Sequence, residues 1–126
     1  MIDHIGLAVS DIETSRPFYE RALAPLGLVV LQAMEHDGNN IVMFGPAGQQ
    51  PIFVIGDGEG PGEGNHVAFR AETREQVDRF HAEALAAGGE DNGAPGIREI
   101  YSPDYYAAFV YDPDGFNIEA VTHSPT

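Results

Sequence analysis

Shifted by 62 positions, the second half of this chain reproduces the first without a gap through one strand and one helix. His66 falls on His4, Phe69 on Leu7, Thr73 on Asp11 and Phe80 on Phe18. Ala84 then falls on Ala22, Leu85 on Leu23 and Gly89 on Gly27. Aromatic, small and glycine positions recur in the same order, so the chain is two copies of one unit.

Each copy opens with a strand of period two, at about 2–9 and 65–71. A capped helix follows. Asp11 and Thr73 are N-cap residues, and Thr73 with Gln76 has capping-box spacing. The first helix presents Ile12, Phe18, Ala22 and Leu26, and the second Val77, Phe80, Ala84 and Leu85, as stripes that suit packing on a sheet. Gly27 and Gly88-Gly89 end the helices. Three shorter strands complete each copy, at about 28–34, 40–45 and 51–55, then 97–101, 105–111 and 116–122. Gly45-Pro46-Ala47-Gly48 and Asp112-Pro113-Asp114-Gly115 supply turns between them. The βαβββ unit thus occurs twice, an α+β arrangement with helices on one side of the sheet. A single domain of 126 residues is expected, with one module at about 1–56, a glycine-rich linker at about 56–64, and a second module at about 64–123. The stretch at 88–96, GGEDNGAPG, reads as a connection or a loop over a pocket.

Composition removes several chemistries. Without cysteine there are no disulfides, thiolate metal sites or cysteine nucleophile. All six positive side chains are arginine, so lysine Schiff bases and Walker-type phosphate loops are excluded as well. A formal net charge of −14 repels nucleic acid and anionic membranes. No charged n-region with an apolar h-region opens the chain, and no apolar run reaches membrane-spanning length, so a soluble cytoplasmic protein is expected.

Strand parity points to chemistry. With Ile5, Leu7 and Val9 facing the helices, His4, Gly6 and Ala8 face the other way. Val67 and Phe69 likewise oppose His66, Ala68 and Arg70. Small neighbours beside each histidine leave room for a bound group. In the last strand, Ile118 and Ala120 join the core and Glu119 lies on the histidine side, where a carboxylate among apolar residues needs water, hydrogen bonds or a cation. Two histidines and one carboxylate on a common face form a metal-ligand set with open positions. The same residues also have an ordinary reading, as hydrogen-bonding strand histidines and a solvated strand glutamate. His36, His81 and His123 have no counterparts in the repeat and no role is assigned to them.

In DHIGLAVSDIETSRPFYERALAPLG, NHVAF and AAFVYDPDGFNIEAV the chain resembles the vicinal oxygen chelate superfamily, which includes glyoxalase I, extradiol dioxygenases, fosfomycin-modifying thiol transferases and bleomycin-resistance proteins. The resemblance covers nearly the whole chain. It implies two βαβββ modules forming an open mixed barrel around a divalent metal (Fe, Mn, Ni, Zn or Co), with helices outside. It further implies His4, His66 and Glu119 as ligands and a homodimer as the assembly. Matching the two turns through Gly48 and Gly115 puts Ile52 where glyoxalase I enzymes typically carry a second glutamate, which argues against glyoxalase I activity itself.

The function expected is chelation of a small oxygen-bearing organic substrate on a metal that acts as a Lewis acid. The alternatives are a metal-free binding protein of the same fold and an interaction module. Arg70 and Arg98 are candidates for a substrate anion, and Ile52, Val54 and Ala108 for an apolar pocket wall. A turn pairing Asp112 with Gly115 would pair Ala108 with Glu119. Tyr106 would then share the Glu119 face, as a general acid near the metal or a lining residue, and Tyr105 would point away.

Overall fold

The computed structural model describes residues 2–62 and 65–126. Glu63 and Gly64, at the end of the expected linker, lie outside the described residues. The first module runs β1 (Ile5–Ala8), α1 (Ile12–Leu23), a short 3₁₀ turn (Ala24–Leu26), β2 (Leu28–His36), β3 (Asn39–Pro46) and β4 (Phe53–Gly56). The second runs β5 (His66–Arg70), α2 (Arg74–Ala86), β6 (Glu90–Ile97), β7 (Tyr106–Tyr111) and β8 (Asn117–Thr122). Each module forms its own four-stranded mixed sheet, in the orders β1-β4-β3-β2 and β5-β8-β7-β6. In both, the first strand pairs in parallel with the last and the remaining pairs are antiparallel. The repeat in the sequence is therefore a repeat in topology. Among the described residues the β-structure is two separate sheets, and no barrel closes within one chain.

Local chemistry sets the helix starts. The Asp11 carboxylate accepts from the Glu13 N–H at 3.0 Å, and Thr73 and Gln76 form the reciprocal capping box. The two helices pack together and on the sheets, burying Phe18, Tyr19, Ala22 and Leu23 from α1 and Val77, Phe80 and Ala84 from α2. Leu85, expected in that stripe, is 37% exposed. Facing the helices are Leu7, Phe44, Phe53 and Ile55 in one sheet and Val67, Phe69, Ile118 and Ala120 in the other. Phe53 and Phe69 meet edge to face at 5.1 Å, so both modules contribute to one core. The pair Gly88-Gly89 divides two tasks. Gly88 takes the left-handed conformation (φ 97°), and a Cβ on Gly89 would lie 2.6 Å from the Phe18 ring.

A second tie joins the modules. The buried Tyr19 hydroxyl donates to Asp112 Oδ2 at 2.5 Å, across 93 residues, and the Ser10 N–H donates to Asp114. Burial, then the neighbouring Asp112 charge, pushes the Tyr19 phenol well above its ordinary value. Burial also raises Asp112, against hydrogen bonds from Tyr19 and from the Phe116 and Asp114 backbone that favour its charged form.

Two expectations about the strands fail. The sixth strand lies at 90–97, inside the stretch read as a loop, and residues 98–104 instead turn back, with the Arg98 carbonyl accepting from the Tyr101 N–H at 3.0 Å. β6 is an edge strand with register shifts at Asp91/Gly93 and Gly93/Gly96, which is where glycines and Pro95 are tolerated in a sheet. The other failure is the β7–β8 register. Tyr111, not Asp112, closes the hairpin by pairing with Asn117, so Phe109 faces Glu119 and Ala108 faces Ala120. Asp112 causes this by accepting with Oδ1 from both the Asp114 and the Phe116 N–H, which holds a longer loop than a two-residue turn. A shift of one residue moves every β7 side chain to the opposite face. Among the described residues, no helix is long and apolar enough to cross a membrane.

Candidate metal centre

The side of the second sheet that faces away from the helices carries His66, Glu119, Phe109 and Tyr105. Glu119 is only 2% exposed, although its neighbours Ile118 and Ala120 turn to the opposite, helix-packed side. Its two carboxylate oxygens have different partners. Oε1 accepts from the Tyr105 hydroxyl at 2.5 Å, and Oε2 lies 3.0 Å from His66 Nε2. The other ring nitrogen, His66 Nδ1, is 3.0 Å from the Asn117 carbonyl oxygen.

A carbonyl oxygen only accepts, so the Asn117 contact assigns the proton to Nδ1. In the neutral imidazole, Nε2 then presents a lone pair to a carboxylate oxygen. Two acceptors at 3.0 Å require a positive charge between or upon them, supplied by an imidazolium proton or by a cation. The pairing of ring N–H with a backbone carbonyl is also how metal-binding histidines are held in one tautomer. A separation of 3.0 Å is, besides, the spacing of two adjacent ligands that each touch a first-row divalent ion at about 2.1 Å. His66 Nε2 and Glu119 Oε2 are chemically suited to be two ligands of a divalent metal, and Glu119 would offer Oε2 to it, because Tyr105 engages Oε1. Burial first, then the hydrogen bond and charge of Glu119, push the Tyr105 phenol up to about 12, so it remains a donor at neutral pH.

The family model for the glyoxalase/bleomycin resistance protein/dioxygenase superfamily matches residues 1–120. The chain belongs to that superfamily. It is similar to a glyoxalase/bleomycin resistance protein from Albidiferax ferrireducens, at 30% identity over 96% of this chain and 97% of that one, with a TM-score of 0.71. It is similar in fold to glyoxalase I from Zea mays, at 19% identity and TM-score 0.73, covering 99% of this chain and 45% of the maize chain. It is also similar in fold to a mutant of the fosfomycin resistance protein FosX from Listeria monocytogenes, complexed with Mn(II) and 1S,2S-dihydroxypropylphosphonic acid. That match has 21% identity, a TM-score of 0.69, and covers 96% of this chain and 90% of the other. No curated protein matches the sequence.

Within this superfamily fold, the residues singled out in the sequence are not all brought together. His66 and Glu119 meet, and His4 does not join them. His4 is exposed, its Nδ1 2.7 Å from Asp3 Oδ1, and it lines a cavity of about 240 Å³ with Met43, Gln50, Pro51 and Val54. His66 lines another, of about 410 Å³, with Ile5, Ile52, Ala68 and Arg70. Among the described residues, no three histidine, aspartate or glutamate side chains cluster closely enough to hold a metal.

The register of β7 corrects two further assignments. Tyr106 turns away from Glu119 and donates to Asp78 at 2.6 Å, and Ala108 is fully buried in the helix-facing core. Tyr105 takes the place expected of Tyr106. Its ring also meets His123 edge to face at 5.3 Å, so a histidine without a counterpart in the repeat stands beside the site. Phe109, which stacks on His66 with centroids 6.5 Å apart, was legible only with the correct register. His81 Nε2 lies 2.9 Å from Asp91 Oδ1 on β6.

Proposed function

We propose that this chain is a metal-dependent enzyme of the superfamily, acting on a small organic substrate through vicinal or neighbouring oxygens. The reading rests on His66 Nε2 and Glu119 Oε2 standing 3.0 Å apart while Asn117 and Tyr105 engage their remaining polar atoms. His66 and Glu119 supply two ligands, and His4 of a second copy supplies the third, which makes the homodimer the active assembly. What supports sharing of the site between copies is that, among the described residues of one chain, His66 and Glu119 meet without a third histidine or carboxylate beside them.

A divalent ion held there contributes Lewis acidity toward a substrate oxygen. The protein's own residues do the rest. Glu119 and His66 are held in fixed rotamers, Phe109 and Ile52 make the walls apolar, and Tyr105 keeps one carboxylate oxygen occupied. Ile52, 39% exposed beside the His66 cavity, offers no second carboxylate for glyoxalase I proton transfer. Metal-independent ligand binding is the competing reading, in which His66 is an imidazolium paired with Glu119.

The test is metal retention. Untagged protein titrated with Mn(II), Ni(II), Zn(II), Co(II) and anaerobic Fe(II) is expected to retain one of them near one ion per chain, and His66→Ala and Glu119→Gln to lose it. Wild-type protein that retains none of these ions would leave the imidazolium reading in possession.

A further inference from the structure

The same sheet face holds an arginine whose seat is built into the backbone. The Arg98 N–H donates to the Tyr105 carbonyl at 2.7 Å, and the Arg98 carbonyl accepts from Tyr101, so its backbone is fixed beside the residue that holds Glu119. From there the side chain runs back along β6. Its Nη2 donates to the Ala94 carbonyl at 2.7 Å, and the guanidinium carbon lies 5.4 Å from the centroid of the Phe109 ring, over its face.

Two glycines make the space. A Cβ on Gly93 would stand 3.1 Å from Arg98 Nη2 and 3.0 Å from the Phe109 ring, and a Cβ on Gly96 would stand 3.1 Å from Nη1. Glycines that weaken an edge strand are thus the ones that seat the guanidinium. Among the described residues no carboxylate reaches salt-bridge distance of Arg98, a condition it shares with Arg70, Arg74 and Arg79 and not with Arg16 and Arg21. Among the described residues, one of its five N–H donors is committed to a protein atom.

Phe109 connects this arginine to the metal centre. It sits directly opposite Glu119 in the β7–β8 register and stacks on His66, while Arg98 approaches from the β6 side. We infer that Arg98 anchors a carboxylate on the substrate, at the far side of Phe109 from the oxygens that the His66–Glu119 site chelates. The inference rests on the metal reading above and narrows its substrate to a small, flat or apolar-centred organic acid. A planar carboxylate matches the two-pronged guanidinium. A single negative charge suits one arginine in a chain of net charge −14 better than a doubly charged phosphate does.

The experiment compares benzohydroxamic acid with 4-carboxybenzohydroxamic acid. Both chelate a metal through neighbouring oxygens, and the second adds a carboxylate at the opposite end of the ring. Calorimetric titration of metal-loaded protein should show the carboxylated probe binding about tenfold or more tightly than its parent. Arg98→Met should bring the two to equal affinity, and Arg98→Lys should keep part of the difference. Circular dichroism and retained metal establish that the variants fold. Equal affinities in wild type, or a preference that survives Arg98→Met, overturn the inference while leaving the metal reading intact. A chain that retains no metal refutes the metal reading, and the inference with it.

Discussion

Tyr105 donates its hydroxyl to Glu119 Oε1 at 2.5 Å, leaving Oε2 alone to face His66. The bond crosses from the loop before β7 to the middle of β8 and restricts Glu119 to one free oxygen. Tyr105→Phe is therefore expected to weaken divalent-metal affinity by about 10–100-fold, the usual cost of losing a group that orients a ligand. Thermal stability without metal should change much less. Calorimetric titration beside melting curves in chelator separates the two, and equal metal affinity in wild type and variant would dismiss this role.

The β7–β8 register makes a prediction about packing. Ala108 is fully buried against Ala120 and the helix-facing core, and Phe109 lies on the open face. Ala108→Leu should cost about 1–3 kcal/mol of stability by overpacking. Phe109→Leu should cost less stability but weaken aromatic ligands. Denaturant unfolding of both variants checks this, and the opposite order would mean that the register is wrong by one residue.

Tyr19 links stability to alkaline pH. Its folded phenol titrates well above the ordinary value near 10, through burial and the adjacent Asp112 charge. Above about pH 10 the unfolded chain releases this proton while the folded chain keeps it, so the folded state binds more protons and stability falls as pH rises. The contribution is whole below about pH 10, declines as pH rises above it, and is lost once the folded phenol ionises as well. Tyr19→Phe should flatten the alkaline pH dependence. At neutral pH it should cost about 1.5–3 kcal/mol, because the buried Asp112 carboxylate loses a donor. Melting temperatures from about pH 7 to about 11.5 test both effects.

Ser15 offers a gain. It is 1% exposed on α1, and its hydroxyl has no hydrogen-bond partner among the described residues. Ser15→Ala removes a buried polar atom and improves helix propensity, so stability should rise by up to about 1 kcal/mol. A measurable loss in denaturant unfolding would show that the hydroxyl is satisfied in solution.

The repeat made the topology readable, because strand parity and caps are local and occur in both copies. His66 and Glu119 were readable for the same reason, since alternation assigns each to the side away from the helices. Tyr105 was not, because its face depends on one residue of loop length, and that residue is held by Asp112 accepting two backbone N–H groups. β6 was hidden by composition, since Gly93, Pro95 and Gly96 are turn residues in most contexts and here serve an edge strand that accommodates Arg98. Tyr19 lay outside the expected stripe, and its partner Asp112 is 93 residues away, beyond what local periodicity can register.

In the proposed centre, His66 and Glu119 of one copy hold a metal completed by His4 of another. Mixing His4→Ala protein with His66→Ala protein tests it most directly, with each variant alone expected to retain no metal. In a heterodimer of the two, one site regains all three ligands and the other loses both histidines. After denaturation and joint refolding, about a quarter of all sites should bind metal, because about half of randomly paired dimers are mixed and each carries one intact site. Binding restored to that level supports the shared centre. No restoration in refolded, demonstrably mixed dimers would contradict it.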